Sequence, residues 1–249
     1  MIRVFGLMAM VSLLAAAARA ETLADRLLAS YDPVQSVTCE IRKDMEAQAG
    51  AMRMLSRVYY QKPDRLNVDQ AAPVPRRIVA DGKTFYSYID GDAKGFSRLI
   101  EKLSDEMIIN LRKVPGTAMD HLLKLRGVAE KDLDGTPEFP VRKGYETAKV
   151  FVVLSLDATG RLARVEFFTS PEMKDKTGQY DYSAFREVLP GVWIPCLHQG
   201  TFRIAGSESK ETSRVDNLSV NQPIAPSLFD PGPFFKGVEF VDEFGKIYE

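Results

Sequence analysis

The sequence predicts a mainly β protein, an antiparallel meander of about ten strands interrupted by one helical insertion. Three observations predict it. Apolar and polar residues alternate with period two through most of the chain beyond Val37. Turn signals such as Lys62-Pro63-Asp64, Asp81-Gly82 and Asp157–Gly160 recur at short intervals. Helical spacing is confined to a short opening segment and to Ser104–Leu125. Strands joined by short connections pair most economically with their chain neighbours.

The first twenty residues read as a secretory signal. Arg3 gives a positive start, Val4–Ala18 is an almost unbroken apolar run, and Ala18-Arg19-Ala20 supplies an A-x-A site, so cleavage is expected after Ala20. The run is shorter than the roughly 20 residues of a membrane-spanning helix. A lipid anchor would need a cysteine at the cleavage point, and the first cysteine is Cys39.

Thr22 is placed to cap a short helix carrying Leu23, Leu27 and Leu28 on one face, and Asp32-Pro33 ends it. Val37, Cys39 and Ile41 then alternate with polar residues. The next run sets Met52, Met54, Ser56, Val58 and Tyr60 against Arg53, Leu55, Arg57, Tyr59 and Gln61. Leu66 and Val68 continue the pattern, and Ile78–Ala80 with Thr84–Tyr88 forms a hairpin about Asp81-Gly82. Later strands are expected at Ala148–Leu156, Leu162–Thr169, Gln179–Val188, Val192–Ile204 and Arg214–Val220. In the insertion, Met107, Ile108 and Leu111, then Met119, Leu122 and Leu123, fall at helical spacing on two short helices divided by Pro115-Gly116. Helices this short need something to pack their apolar stripe against. Pro226–Pro233 ends the regular patterning, so residues 21–233 read as one domain and 234–249 as a tail, either packed on the body or loosely attached.

Composition excludes several functions. A formal net charge of −1 over 249 residues argues against nucleic acid, which needs a basic surface. Two histidines and two cysteines leave little for a zinc site, and no metal or other cofactor is expected. There is no phosphate-binding glycine loop and no nucleophile elbow. Ser207-Glu208-Ser209-Lys210 and Lys176-Thr177-Gly178 match S-x-x-K and K-T-G, but in reversed order and without a helix start at Ser207. His121 on a helix and His198 on a strand have no Cys or acid at ligand spacing, so each is expected to be a satisfied or exposed histidine. No catalytic residues are assigned. In an oxidising compartment Cys39 and Cys196 favour one disulfide over two buried free thiols.

Tyr59-Tyr60-Gln61-Lys62-Pro63-Asp64-Arg65-Leu66, followed by Val79-Ala80-Asp81-Gly82-Lys83-Thr84-Phe85-Tyr86-Ser87-Tyr88, resembles the central signature of the LolA-like periplasmic carriers of outer-membrane lipoproteins. The exported N-terminus, the first helix, the helical pair and Leu228-Phe229-Asp230-Pro231 agree with it. The resemblance implies an unclosed antiparallel β-barrel with a helical lid over an apolar cavity that takes acyl chains. On that reading Met52, Met54, Val58, Tyr60, Leu66, Val68 and Phe85 line the cavity. Met107, Ile108, Leu111, Met119, Leu122 and Leu123 then form the lid. In the family an arginine before the proline holds the lid closed by bonding helix carbonyls; here Lys62 stands at that position, without the planar guanidinium fork.

The resemblance implies a monomeric, non-enzymatic periplasmic carrier of lipid or lipoprotein acyl chains. Its partners would be an inner-membrane release complex and an outer-membrane acceptor. The alternatives are a sensor or scaffold of the same fold that binds a periplasmic protein, and a hydrolase whose polar residues would converge in a pocket.

Overall fold

The computed structural model describes residues 21–48, 50–204 and 206–248. The expected signal peptide lies outside the described residues. Thr22 caps α1 (Leu23–Ala29) through a capping box: the Asp25 amide donates to its hydroxyl, and Asp25 accepts from the Thr22 amide. Two further orphan amides of this helix are met from the sheet. The Leu23 N–H donates to Glu130 and the Ala24 N–H to the Tyr145 hydroxyl, at 2.6 and 3.0 Å.

The strands form one open sheet. The first meander comprises β1 (Ser36–Ala47), β2 (Gly50–Gln61), β3 (Arg65–Ala72), β4 (Arg76–Asp81), β5 (Thr84–Ile89) and β6 (Lys94–Leu99). The second comprises β7 (Glu130–Leu133), β8 (Val141–Glu146), β9 (Phe151–Leu156), β10 (Leu162–Phe168), β11 (Lys176–Leu189), β12 (Val192–Ile204) and β13 (Ser207–Val220). A short β14 (Glu239–Val241) completes the 14-stranded sheet. The order is β14-β6-β5-β4-β3-β2-β1-β13-β12-β11-β10-β9-β8-β7, so the meanders join through β1 and β13, and the sheet is not closed into a barrel. All pairings are antiparallel except β14 with β6.

This topology explains where the helices lie. β6 and β7 are consecutive in the chain yet near opposite ends of the sheet, so the link between them must cross a face of it. That link carries α2 (Asp105–Arg112) and α3 (Met119–Leu125), separated at Pro115-Gly116 as the sequence predicts. Ser104 caps α2, with the Met107 N–H donating to its hydroxyl. Leu111, Met119, Leu122 and Leu125 enter one core with Val37 and Cys39 of β1, Val58 and Tyr60 of β2 and Ile194 of β12. The other face of the central strands is wet, carrying the ion pairs Arg42–Asp216, Arg53–Asp44 and Arg57–Glu40.

The expected β4–β5 hairpin forms, with the Asp81 carboxylate accepting from the Lys83 and Thr84 amides and Gly82 at φ +99°. Four strands escape the periodicity reading: β6, β7, β8 and β14. β7 is short and charged and forms one rim of the sheet, where charge deters further strand addition.

Residues 234–248 pack on the body. β14 runs beside β6, Phe240 and Phe235 pack edge-on to each other and both pack on Tyr86, and Phe244 stacks on Phe96 at 4.0 Å. Gly95 makes this possible: a Cβ there would sit 2.5 Å from the Phe240 ring.

The expected disulfide is not formed. Cys39 and Cys196 are free thiols. β13 runs between β1 and β12, which separates the two residues by two strand spacings, roughly 9–10 Å. A bridge spans no more than about 7 Å between Cα atoms. Burial pushes the Cys39 thiol up to about 12.

Candidate functional site: a two-sided cavity beneath the helical crossover

A cavity of about 360 Å³ opens between the central strands and the α2–α3 link. Its apolar wall is Ile41 of β1, Met54 and Val58 of β2, Leu66 and Val68 of β3, and Val215 of β13. These positions share strand parity and face away from the outer ion pairs.

The rest of the lining is polar, which differs from the apolar cavity expected: Ser56 and Gln70 interrupt the apolar run on β2 and β3, and Lys43 is the cross-strand partner of Met54. Lys43 pairs with Glu211 at 2.8 Å, and Tyr180 and Glu211 line the same part of the cavity. From the helical link come Asn110, Lys113, Asp120 and His121, and from β12 comes His198. Lys113 and Asp120 approach to 3.9 Å. Burial opposes ionisation of Asp120, but His121, Lys113 and a backbone amide outweigh it and hold its carboxyl below the usual range.

Both histidines sit in this wall, and burial pushes each imidazole below its ordinary pKa, favouring the neutral form. His198 Nε2 lies 3.2 Å from the Pro195 carbonyl oxygen of its own strand. His121 packs on Tyr180 and Phe167, with ring centroids 4.9 and 5.3 Å away. Asp120 Oδ2 lies 3.9 Å from its Nε2, beyond hydrogen-bond reach, and among the described residues its ring makes no hydrogen bond. A satisfied or exposed ring is expected from the sequence, and the His121 ring is partly exposed, at 15% of its side chain, into the cavity. Its signal was its place beside the Leu122-Leu123 stripe, one step round the helix from the core.

The structure divides the expected cavity residues. Met54, Val58, Leu66 and Val68 line the cavity. Met52 does not: it pairs with Met45 near the β1–β2 hairpin end and is 39% exposed. Tyr60 and Phe85 are buried in the core instead, Phe85 against Phe96. None of the six expected lid side chains lines this cavity. Leu111, Met119 and Leu122 are buried in the core, and Met107, Ile108 and Leu123 pack half-buried against it. The apolar stripe of each helix faces the core, so the polar residues beside the stripe face the cavity. A smaller chamber of about 120 Å³, lined by Leu27, Ala118, Leu122 and Trp193, shares Tyr182 with the main cavity.

Lys62 bonds carbonyls, but not those of α2 or α3. Its Nζ donates to the Tyr31 and Asp32 carbonyl oxygens at 3.0 and 3.1 Å, in the turn that follows α1. The residues flanking it reach α2. The Tyr60 hydroxyl donates to the Arg112 carbonyl oxygen at 2.9 Å, and the Arg112 guanidinium donates to both Asp64 oxygens at 2.6 and 3.1 Å. One short segment, 60–64, therefore holds both α1 and α2. Neither Tyr60 in this role nor Asp64 was picked out from sequence.

Comparison with solved structures identifies the fold as LolA-like. A domain from Vibrio parahaemolyticus named for outer-membrane lipoprotein sorting superposes with a TM-score of 0.55 at 10% identity, covering 84% of this chain and 95% of its own. A LolA-superfamily protein from Nitrosomonas europaea gives 0.52 at 13% identity, covering 83% and 96%. A DUF1329 family protein from Desulfovibrio piger gives 0.52 at 14%, covering 83% and 94%. No family profile and no curated protein sequence matches the chain. Among the described residues no helix is long and apolar enough to cross a membrane.

Proposed function

We propose that this protein is a periplasmic carrier or binding protein for the acyl chains of lipid or lipoprotein, acting without catalysis. The observation that carries this reading is the cavity held between an open half-barrel and its helical crossover, with Ile41, Met54, Val58, Leu66, Val68 and Val215 forming most of its lining on the central strands. Each methylene withdrawn from water there is worth about 0.8 kcal/mol. At about 360 Å³ the cavity is near the small end of the 300–1,000 Å³ typical of ligand sites, enough for part of one chain. Larger cargo requires α2 and α3 to move, and segment 60–64 is the contact that such movement breaks.

The signal-like N-terminus supports export with processing after Ala20, and on the carrier reading the cargo passes from an inner-membrane donor to an outer-membrane acceptor. The test is uptake of a fluorescent fatty-acyl probe by the processed protein, with native mass spectrometry of the same material from periplasm. Saturable uptake and copurified lipid are expected. No uptake and no bound lipid would overturn the reading, and capture of a protein partner instead would favour a sensor or scaffold.

A further inference from the structure

We propose that the cavity selects amphipathic ligands whose polar end is uncharged and hydrogen-bonding, with His121 as the residue that reads it. The inference rests on the acyl-binding reading above and specifies which end group accompanies the chain.

Charge balance argues against an ionised head. The formal charges in the cavity wall are two positive, Lys43 and Lys113, and two negative, Asp120 and Glu211. Each already has an opposite neighbour, Lys43 with Glu211 at 2.8 Å and Lys113 with Asp120 at 3.9 Å. A carboxylate or ammonium entering this space would lose its hydration and find no unmatched counter-charge, which costs far more than burying a neutral hydroxyl or amide that gains a hydrogen bond.

Several hydrogen-bonding groups of that lining make no side-chain hydrogen bond among the described residues, the Ser56, Tyr182 and Ser213 hydroxyls and the His121 ring among them. The His121 ring is held by Tyr180 and Phe167, retains 15% side-chain exposure, and makes no hydrogen bond among the described residues. Burial favours its neutral form, which carries one donor and one acceptor nitrogen. Both suit a hydroxyl or amide. The same cavity carries Met54, Val58, Leu66 and Val68, which offer a chain apolar contact interrupted by Ser56 and Gln70. The apolar and polar parts of the lining thus suit the two ends of one molecule.

The test displaces a bound fluorescent acyl probe with three ligands of equal chain length, ending in a primary alcohol, a carboxylate and a trimethylammonium group, at pH 8. The alcohol is expected to bind at least about tenfold more tightly than either ion, given the cost of burying an unmatched charge. Equal affinities, or preference for either ion, would overturn the inference while leaving acyl binding intact. Failure of the probe itself to bind would overturn both. His121→Phe, which keeps the ring, is expected to weaken the alcohol by about tenfold, the worth of one buried hydrogen bond. Its thermal midpoint and its affinity for the ions should stay near wild type. His121→Gln, which restores a donor and an acceptor, is expected to recover the alcohol preference. Should His121→Phe unfold, the His121→Gln variant and the wild-type series still decide the matter.

Discussion

Arg112, the last residue of α2, is gripped by Asp64 through two parallel hydrogen bonds, of 2.6 and 3.1 Å, across the gap between the helix and the β2–β3 turn. The Arg112 side chain is half exposed, so solvent screens the pair and its contribution to stability is under about 1 kcal/mol. Geometry is its larger contribution: a bidentate contact fixes the end of α2 over the cavity. Asp64→Asn should barely move the thermal midpoint yet speed acyl-probe association measured by stopped flow. An unchanged association rate would take Asp64 out of the access step.

Tyr60 holds the same residue from the buried side. Tyr60→Phe removes one hydrogen bond to the Arg112 carbonyl while keeping the packed ring, and should cost about 1 kcal/mol in urea unfolding. Combined with Asp64→Asn, the effect on probe association should exceed the sum of the two, since both changes release one helix end.

Lys62 fastens α1 instead. Lys62→Leu loses both bonds to the turn after α1 and should lower stability by about 1 kcal/mol, with faster hydrogen exchange across Leu23–Asp32. Lys62→Arg should restore most of this. If Lys62→Leu leaves exchange in that segment unchanged and probe release unaltered, Lys62 has no part in holding the structure closed.

The buried histidines make stability fall on the acid side. Burial depresses both His121 and His198, so the unfolded chain takes up protons first. Their contribution is complete above the unfolded value near 6.5 and is lost as pH falls below it towards the depressed folded values. Thermal midpoints between about pH 7.5 and 5.5 should decline, and less steeply in a His121→Phe, His198→Phe double variant. Equal slopes would show that these rings are not kept neutral by the fold.

Reducing agent should leave the thermal midpoint unchanged, because Cys39 and Cys196 are not bonded. Mass spectrometry after brief alkylation should show Cys196 modified first, as Cys39 is buried and its thiol is held at about 12.

What the sequence disclosed follows from the range of each interaction. The hairpin at Asp81-Gly82, the cap at Thr22 and the break at Pro115-Gly116 depend on neighbours within four residues, and all three are present. Strand parity carried Met54, Val58, Leu66 and Val68 to the cavity, but parity does not say where along a strand the cavity ends. Met52 lies beyond that limit, and Tyr60 lies where the Arg112 carbonyl fills the space. The polar wall was hidden because it assembles from β1, β11, β12, β13 and the helical link. Lys43 and Glu211 are 168 residues apart in the chain and meet only because β1 joins β13. The same seam, by placing β13 between β1 and β12, separates the two cysteines that composition alone would pair.

The placement of β6 and β7 near opposite ends of the sheet has a mechanical consequence. The segment between them is tethered at both ends, so it works as a strap and not as a flap hinged on one side. A strap can slacken or slide, but it cannot swing clear of what it spans. On the proposed acyl-binding role, a ligand would therefore thread in sideways, between the strap and the strands it crosses. Any load on the strap is passed at once to β7 at one rim and to β6, one strand in from the other, so widening the shell and loosening the strap are a single motion.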